Sequence, residues 1–367
     1  MDVDISDSEI PAPNNNVSFN NSDYVPYNQR TDTYLVPAVF GVIFLFGVIG
    51  NGTLIFTFIK NKTMRTTPNT CIISLAVGDF LVITGTVPFI STIYVFESWP
   101  YGVAVCKLSE FLKDLSVGVT ALNLAILSID RYVAIVMPIK KQTGTYPNAM
   151  TLVSTVVIWI VSAALAIPGA CFAFLLELDV QENIIYICYP YPQDMFPWYP
   201  QTIVLIKFLF LYMIPLLIVG ICYTLMARSL IYNSQYMIDQ NERHARLLRT
   251  RIKVAKVVLA FVVVFALCFL PNQVFMMWWY FNPNAMEQYN HFWHVWKIMS
   301  SVLAFANSCL NPIALYLLSD VFRSYFRQYL LCCISSSSLR TKCQIPTKSF
   351  TSTTVAKQLP HTSNTLL

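Results

Sequence analysis

Seven separate apolar runs constrain this chain more than any other feature: 36–58, 71–96, 103–136, 150–172, 203–232, 254–280 and 292–318. Each is long enough to cross a bilayer, which takes about 20 helical residues, and each ends in charged or Pro-, Gly- and Asn-rich punctuation. Hydrocarbon offers no hydrogen-bond partner, so the backbone of such a run must satisfy itself, and an α-helix is predicted for every one. A soluble core does not account for them. With 56% hydrophobic and only 12% charged residues, against roughly 45–50% and 25% in soluble domains, the chain holds more apolar surface than one core can bury. The expected fold is an all-α membrane protein: an N-terminal tail (1–33), a seven-transmembrane helix bundle (34–318), a short amphipathic helix on the membrane surface (319–333) and a disordered cytoplasmic tail (334–367).

Charge sets the expected orientation. An odd number of spans puts the termini on opposite sides, and Lys and Arg favour the cytoplasm. Of the 24 basic residues, 19 fall in one alternate set of segments, among them Lys60, Lys62, Arg65, Arg131, Lys140, Lys141, Arg228 and six between 243 and 256. The other five, Arg30, Lys107, Lys113, Lys207 and Lys297, lie in the N-terminal tail or the opposite halves of spans. The N-terminus is therefore expected outside. No secretory signal is visible in the acidic, Asn-rich first 33 residues, so span one is expected to act as signal and anchor. The sequons at Asn16 and Asn20 lie in that tail, where glycosylation is available. The net charge of +5 is broken into clusters between apolar runs rather than laid along one polar face, which argues against nucleic acid.

Disulfides persist only on the oxidising side. Most of the ten cysteines sit in spans (Cys71, Cys222, Cys268, Cys309) or in the C-terminal tail (Cys332, Cys333, Cys343). Cys106 opens span three and Cys188 lies mid-way along the longest outer loop, so a bridge between them would pin that loop over the bundle; Cys171 is the competitor on that side. Around Cys188 the loop alternates as a hairpin does.

Polar groups inside the spans mark the working parts. An ionisable residue deep in a span is costly and by default functional, and Asp79 lies midway along span two. Asn51, Ser116, Thr120, Asn307 and Asn311 fall at comparable depth, so either a shared pocket for water or a sodium ion, held by Asp79, Ser116 and Thr120, or a purely structural hydrogen-bond network is expected. Asp130-Arg131-Tyr132 places an acid beside an arginine at the cytoplasmic end of span three, an arrangement in which the acid holds the guanidinium until a partner competes for it. Pro215, Pro271 and Pro312 remove backbone donors from three consecutive spans and provide hinges. An enzyme is not indicated: His244, His291, His294 and His361 form no metal spacing. A transporter would show repeated halves or a ring of like charges, and neither is present.

Asn51, the run Leu75-Ala76-Val77-Gly78-Asp79, Cys106, Asp130-Arg131-Tyr132, Trp159, Pro215, Tyr223, Cys268-Phe269-Leu270-Pro271 and Asn311-Pro312 occur in an order and spacing that resemble the rhodopsin-like (class A) G-protein-coupled receptors. Three further segments are similar to the bombesin-receptor group, and within it to the insect CCHamide neuropeptide receptors. They are Met64-Arg65-Thr66-Thr67-Pro68-Asn69-Thr70, Glu97-Ser98-Trp99-Pro100-Tyr101-Gly102 and Asn311-Pro312-Ile313-Ala314-Leu315-Tyr316. The chain departs from the class in carrying Phe269 where a tryptophan is usual, in placing Tyr316 one residue late, and in offering Arg249, Arg251 and Lys253 rather than an acid on span six. The restraint on Arg131 is then expected to rest on Asp130.

The resemblance implies a plasma-membrane receptor for a short amidated neuropeptide, CCHamide-like or otherwise bombesin-like. It also implies coupling to a heterotrimeric G protein, with Gq-class calcium signalling as the expectation. Lys113 stands where amine receptors carry an acid and Phe305 where retinal proteins carry a lysine, so neither ligand fits. Glu110, Lys113, Asp114, Lys207 and Lys297 are expected to contact the peptide, although Lys207 and Lys297 could instead reach for headgroups; Tyr94, Trp99, Phe269, Asn272 and Gln273 are expected to line or frame the pocket. Asn51, Asp79, Asp130, Arg131, Tyr132, Tyr223, Phe269, Pro271, Asn307, Asn311, Pro312 and Tyr316 are the expected switch residues. After span seven, Asp320 is expected to cap a helix with Phe322, Tyr325, Phe326, Tyr329 and Leu330 on one face and Arg323 and Arg327 towards water. Cys332 and Cys333 then offer palmitoylation sites or ordinary thiols, and the Ser/Thr-rich tail offers sites for receptor kinases and arrestin.

Overall fold

The structure, a computed structural model, describes residues 30–61, 67–137, 147–180, 183–192, 196, 198–234 and 242–331. Asn16, Asn20, Pro138, Cys332, Cys333 and the tail 334–367 lie outside them. Among the described residues, seven helices are long and apolar enough to cross a membrane. Span one is Asp32–Lys60, span two Thr67–Gly85 continuing after a break as Val87–Thr92, span three Gly102–Val136 and span four Pro147–Phe172. Span five runs as Tyr199–Phe208, a wide π turn Leu209–Met213 and Ile214–Ser234; span six is Glu242–Phe281 and span seven His291–Leu318.

The helices outrun the apolar stretches that announce them. Span six begins at Glu242, 12 residues before the apolar run at 254, and span five begins at Tyr199 rather than 203. Hydropathy reports where lipid lies, whereas helix ends follow backbone hydrogen bonding, and Leu, Arg and Ala in 242–253 are good helix formers. Prolines behave differently from one another. Span six passes through Pro271 and span seven through Pro312 as continuous helix, whereas Pro215 follows the π turn in span five, which opens the ladder just before the missing donor.

Inward faces meet in a cluster that joins most of the spans, with Leu54, Leu75, Leu124, Val258, Phe261, Phe265, Phe269 and Leu315 all buried. Outward faces stay apolar: Leu152, Val153, Val156, Val157 and Ile160 of span four are each at least half exposed. In a soluble protein such a face would be a defect; here it is the surface that lipid covers. Close approach needs small residues. A Cβ at Gly50 would sit 2.8 Å from the Pro312 side chain, so span one seats against the span-seven proline only because position 50 has none.

Between spans four and five, β1 (Phe174–Val180) and β2 (Asn183–Tyr189) form an antiparallel hairpin with Leu175 opposite Cys188 and Phe174 opposite Tyr189. Cys106 and Cys188 are bonded, Cα to Cα 5.6 Å, and Cys171 is free and exposed. The competing pairing is thereby excluded. After span seven a short helix Asp320–Phe326 ends in a π turn Arg327–Leu331.

Candidate functional site

At the hairpin end, four charged side chains form two ion pairs in which the acids are buried and the lysines half-buried. Glu110 accepts from Lys113 at 2.5 Å, one turn along span three, and Asp114 pairs with Lys207 of span five at 2.7 Å. Lys207 also donates to the Tyr191 hydroxyl at 3.2 Å and lies 5.1 Å from that ring. Burial holds the Tyr191 phenol above its ordinary value even beside the Lys207 charge, so it remains a neutral hydroxyl. Lys207 therefore faces the bundle rather than the headgroups. Lys297 differs: it is exposed and makes no ion pair among the described residues. Removing one partner of a buried pair leaves a charge uncompensated, at a cost of about 3–5 kcal/mol. Lys207→Met is expected to lower the thermal stability of the purified protein, and Lys207→Met with Asp114→Asn to recover part of that loss. Strictly additive effects in the double-mutant cycle, within about 0.5 kcal/mol, would show that the pair is not coupled.

The hairpin is tied down on several sides. Trp99 N–H donates to the Tyr186 carbonyl at 2.8 Å and Tyr186 N–H to Ser98 Oγ at 3.0 Å. The Trp99 indole is buried against Cys106 and Ala173, and donates to the Gly102 carbonyl, whose residue has φ of +71°. Trp99 thus supports the lid from beneath. Tyr94 stacks on Phe40, and Phe269 is buried against Phe265 with ring centroids 4.9 Å apart, while Asn272 and Gln273 above it are half-buried. On the span-six side, Tyr189 meets the Tyr280 hydroxyl at 3.4 Å and the Tyr191 ring packs edge-on to Tyr280 at 5.2 Å. Tyr280 went unnoticed in the sequence because one more aromatic in an apolar run carries no signal.

In mid-bundle, Asp79 is fully buried and accepts from Asn311 Nδ2 at 2.8 Å. Asn51 donates to the Ser308 and Gly47 carbonyls, and Ser74 gathers Asn123 at 3.1 Å and Trp159 at 3.0 Å. Ser116, Thr120 and Asn307 are buried at the same level. The buried oxygens Asp79 Oδ1, Asn307 Oδ1 and Asn51 Oδ1 accept no hydrogen bond among the described residues.

At the opposite end, Asp130 and Arg131 form an ion pair with Arg131 buried. The Tyr223 hydroxyl donates to the Ala255 carbonyl at 2.5 Å, and Arg251 donates to the Ala134 carbonyl at 2.7 Å. Ile135, Met226 and Ala255 pack together there, with Tyr132 and Tyr223 against them. Span six is thus docked on spans three and five, and this end is closed.

Beyond span seven the structure corrects two local expectations. Ser319, not Asp320, occupies the cap position of the short helix, and Asp320 lies in its first turn, 3.4 Å from Arg323. Arg323 does not reach for water; it folds back to the Tyr316 carbonyl at 3.0 Å and also donates to that of Leu317, because the last carbonyls of span seven have no intrahelical donors. Tyr316 lies against Phe326 and beneath Arg323, at the joint between span seven and the short helix, whereas Leu315 is buried in the central cluster.

Residues 50–316, nearly the whole bundle, match the rhodopsin family of seven-transmembrane receptors. The chain belongs to this family. It is a family of receptors and not of enzymes. The chain is 47% identical to the neuropeptide CCHamide-1 receptor of Drosophila melanogaster over 313 residues, 84% of this chain and 62% of that receptor, so it spans rather less than two thirds of that relative's length. It is 37% identical to a bombesin receptor of Bombina orientalis over 91% of this chain and 86% of the relative. Bombesin receptor subtype-3 of Ovis aries is 38% identical over 80% and 74%.

Proposed function

We propose that this rhodopsin-family receptor takes a CCHamide-like neuropeptide at its hairpin end and activates a heterotrimeric G protein at the other. The observation that carries the reading is the 47% identity to the CCHamide-1 receptor across 313 residues. The hairpin end is the extracellular one, with the N-terminus outside and the protein in the plasma membrane, as the distribution of Lys and Arg supports. The peptide enters beneath the hairpin and meets Glu110, Lys113, Asp114, Lys207 and Lys297. Tyr94, Trp99, Phe269, Asn272 and Gln273 line or frame its path. Mixed charge of this kind suits a ligand with several polar groups. The 37–38% identity to bombesin receptors supports a bombesin-like peptide as the second reading.

Asp79, Ser116 and Thr120 fit a sodium ion, since a carboxylate oxygen without a donor and two buried hydroxyl residues supply the hard oxygen ligands it prefers. Such an ion would neutralise the buried charge and hold spans two and three together. On activation span six swings out about Pro271, the Asp130–Arg131 pair opens, and Tyr223 exchanges the Ala255 carbonyl for Arg131. Asn51, Tyr132, Asn307, Asn311, Pro312 and Tyr316 relay the change along the bundle. Gq-class coupling with phospholipase C follows from the bombesin-like character. Kinases and arrestin act on the Ser/Thr tail, Asn16 and Asn20 carry glycans, and Cys332 and Cys333 carry palmitate.

Cells expressing the chain are expected to raise intracellular calcium at nanomolar CCHamide-like peptide and to ignore bombesin-like peptides at the same dose. Silence towards every amidated peptide, with surface expression confirmed, would remove both ligand and coupling from this reading.

A further inference from the structure

Span six is held across its proline by two side chains that belong to other helices. Pro271 has no N–H, so the carbonyl of Leu267 loses its intrahelical donor and this turn is one hydrogen bond short. On one side of that turn the Tyr212 hydroxyl of span five donates to the Ala266 carbonyl at 3.0 Å. On the other, the Trp296 indole of span seven donates to the Pro271 carbonyl, also at 3.0 Å. Both are ordinary, well-formed hydrogen-bond lengths.

Each donor is itself held in place. Tyr212 is carried by the π turn Leu209–Met213, is buried, and lies between Phe208 and Phe265 with ring centroids 6.1 Å away in each case. Phe265 in turn touches Phe269, which faces the proposed peptide path. Trp296 packs on Phe292 at 5.7 Å, below the flat stack of Trp278 on Trp293 at 3.8 Å that joins the outer ends of spans six and seven.

We infer that Tyr212 and Trp296 are positioning residues that latch the Pro271 hinge in the closed state. The closed state is the one present here, with Arg251 on the Ala134 carbonyl and Ala255 packed between Ile135 and Met226. Ala266 lies about 7 Å along the helix from Pro271, and Thr250 about 30 Å. A swing that carries Thr250 outward by roughly 8 Å therefore moves Ala266 by about 2 Å, and a hydrogen bond does not survive that displacement. Opening must break the Tyr212 bond, while the Trp296 bond resists any shift of the hinge itself relative to span seven. Ring contact from Phe269 through Phe265 to Tyr212 gives a ligand at the pocket floor a route to the first of these bonds.

The test uses Tyr212→Phe and Trp296→Phe, which remove the donor and keep the ring. The full chain, with Cys171 and the tail cysteines replaced, carries spin labels at Thr250→Cys and Leu152→Cys on the closed ends of spans six and four. Without ligand, each variant is expected to raise the population at longer label distances, and ligand-independent nucleotide exchange on the G protein, by roughly three- to tenfold. The double variant should show the product of the two effects, because the residues share no contact. Unchanged distances in both variants would overturn the latch. So would a fall in thermal stability with the distance distribution merely broadened, since that is what lost packing alone produces. The consequence for exchange rests on the receptor reading above: longer distances with unchanged exchange would leave the latch standing and sink the G-protein coupling instead.

Discussion

Cys188→Ser is expected to lower affinity for a labelled CCHamide-like peptide by at least about 100-fold, which corresponds to the roughly 3 kcal/mol a disulfide commonly contributes. The bridge joins β2 to the first turns of span three, at the row where Leu175 faces Cys188. Without it the hairpin keeps its own ladder, the two hydrogen bonds of Tyr186 to the Trp99 backbone and the Ser98 hydroxyl, and the Tyr189–Tyr280 contact. A two-stranded hairpin is marginal alone, so the lid would spend most of its time away from the bound pose. Affinity falls by the fraction lost. Cys106→Ser should match Cys188→Ser, and Cys171→Ser should bind normally because that thiol is free and exposed. Affinity within threefold of the parent in Cys188→Ser, measured on surface-expressed protein, would show that the lid does not depend on the bridge.

Arg131→Ala is expected to keep peptide binding and to reduce agonist-driven nucleotide exchange by roughly 30- to 1000-fold, the range of an arginine anchor worth about 2–4 kcal/mol in an interface core. In the closed state the guanidinium is buried and occupied by Asp130, and span six is docked beside it, with the Ala255 carbonyl on Tyr223 of span five and Arg251 on the Ala134 carbonyl of span three. It can meet a G-protein helix only after that cover moves. Asp130→Asn weakens the restraint without removing the anchor and should raise ligand-independent exchange. Opposite signs for these neighbouring residues distinguish a switch from simple loss of folding. Full exchange in well-expressed Arg131→Ala would take the residue out of the mechanism.

Residues that violate their surroundings were readable without coordinates. Asp79 in an apolar run and Arg131 at a span end stand out because lipid penalises each of them individually, and Cys106 with Cys188 because both fall on the side away from most basic residues, where a bridge is expected to persist. Residues whose roles depend on a neighbour were not. The sequence shows two acids and two lysines near the hairpin end; that Lys113 takes Glu110 while Lys207 takes Asp114 depends on how spans three and five are rotated about their axes. Tyr212 and Trp296 look like lipid-facing or core aromatics until their polar atoms are seen on span six, and Tyr280 until its hydroxyl is seen against Tyr189 of the hairpin. Arg323 suggested a water-facing charge because sequence gives no account of which helix ends lack donors.

Hydropathy, charge and alternation along the chain are enough to give the number of spans, the side its basic residues favour, the place of the hairpin and the polar groups within the spans. The spans and their polar groups follow from transfer between water and hydrocarbon, an energy that adds residue by residue along the chain, and the side and the hairpin from charge bias and alternation, which are equally local. Tertiary structure alone decided the charge pairing at the hairpin end, the seat of Tyr316 against the short helix rather than in the core, and the two donors on the Pro271 hinge. Those contacts join residues on different helices, and a hydrogen bond or ion pair forms only within a few tenths of an ångström of the right distance. Helix phase, tilt and the π turn in span five set that distance, and none of them is written in hydropathy.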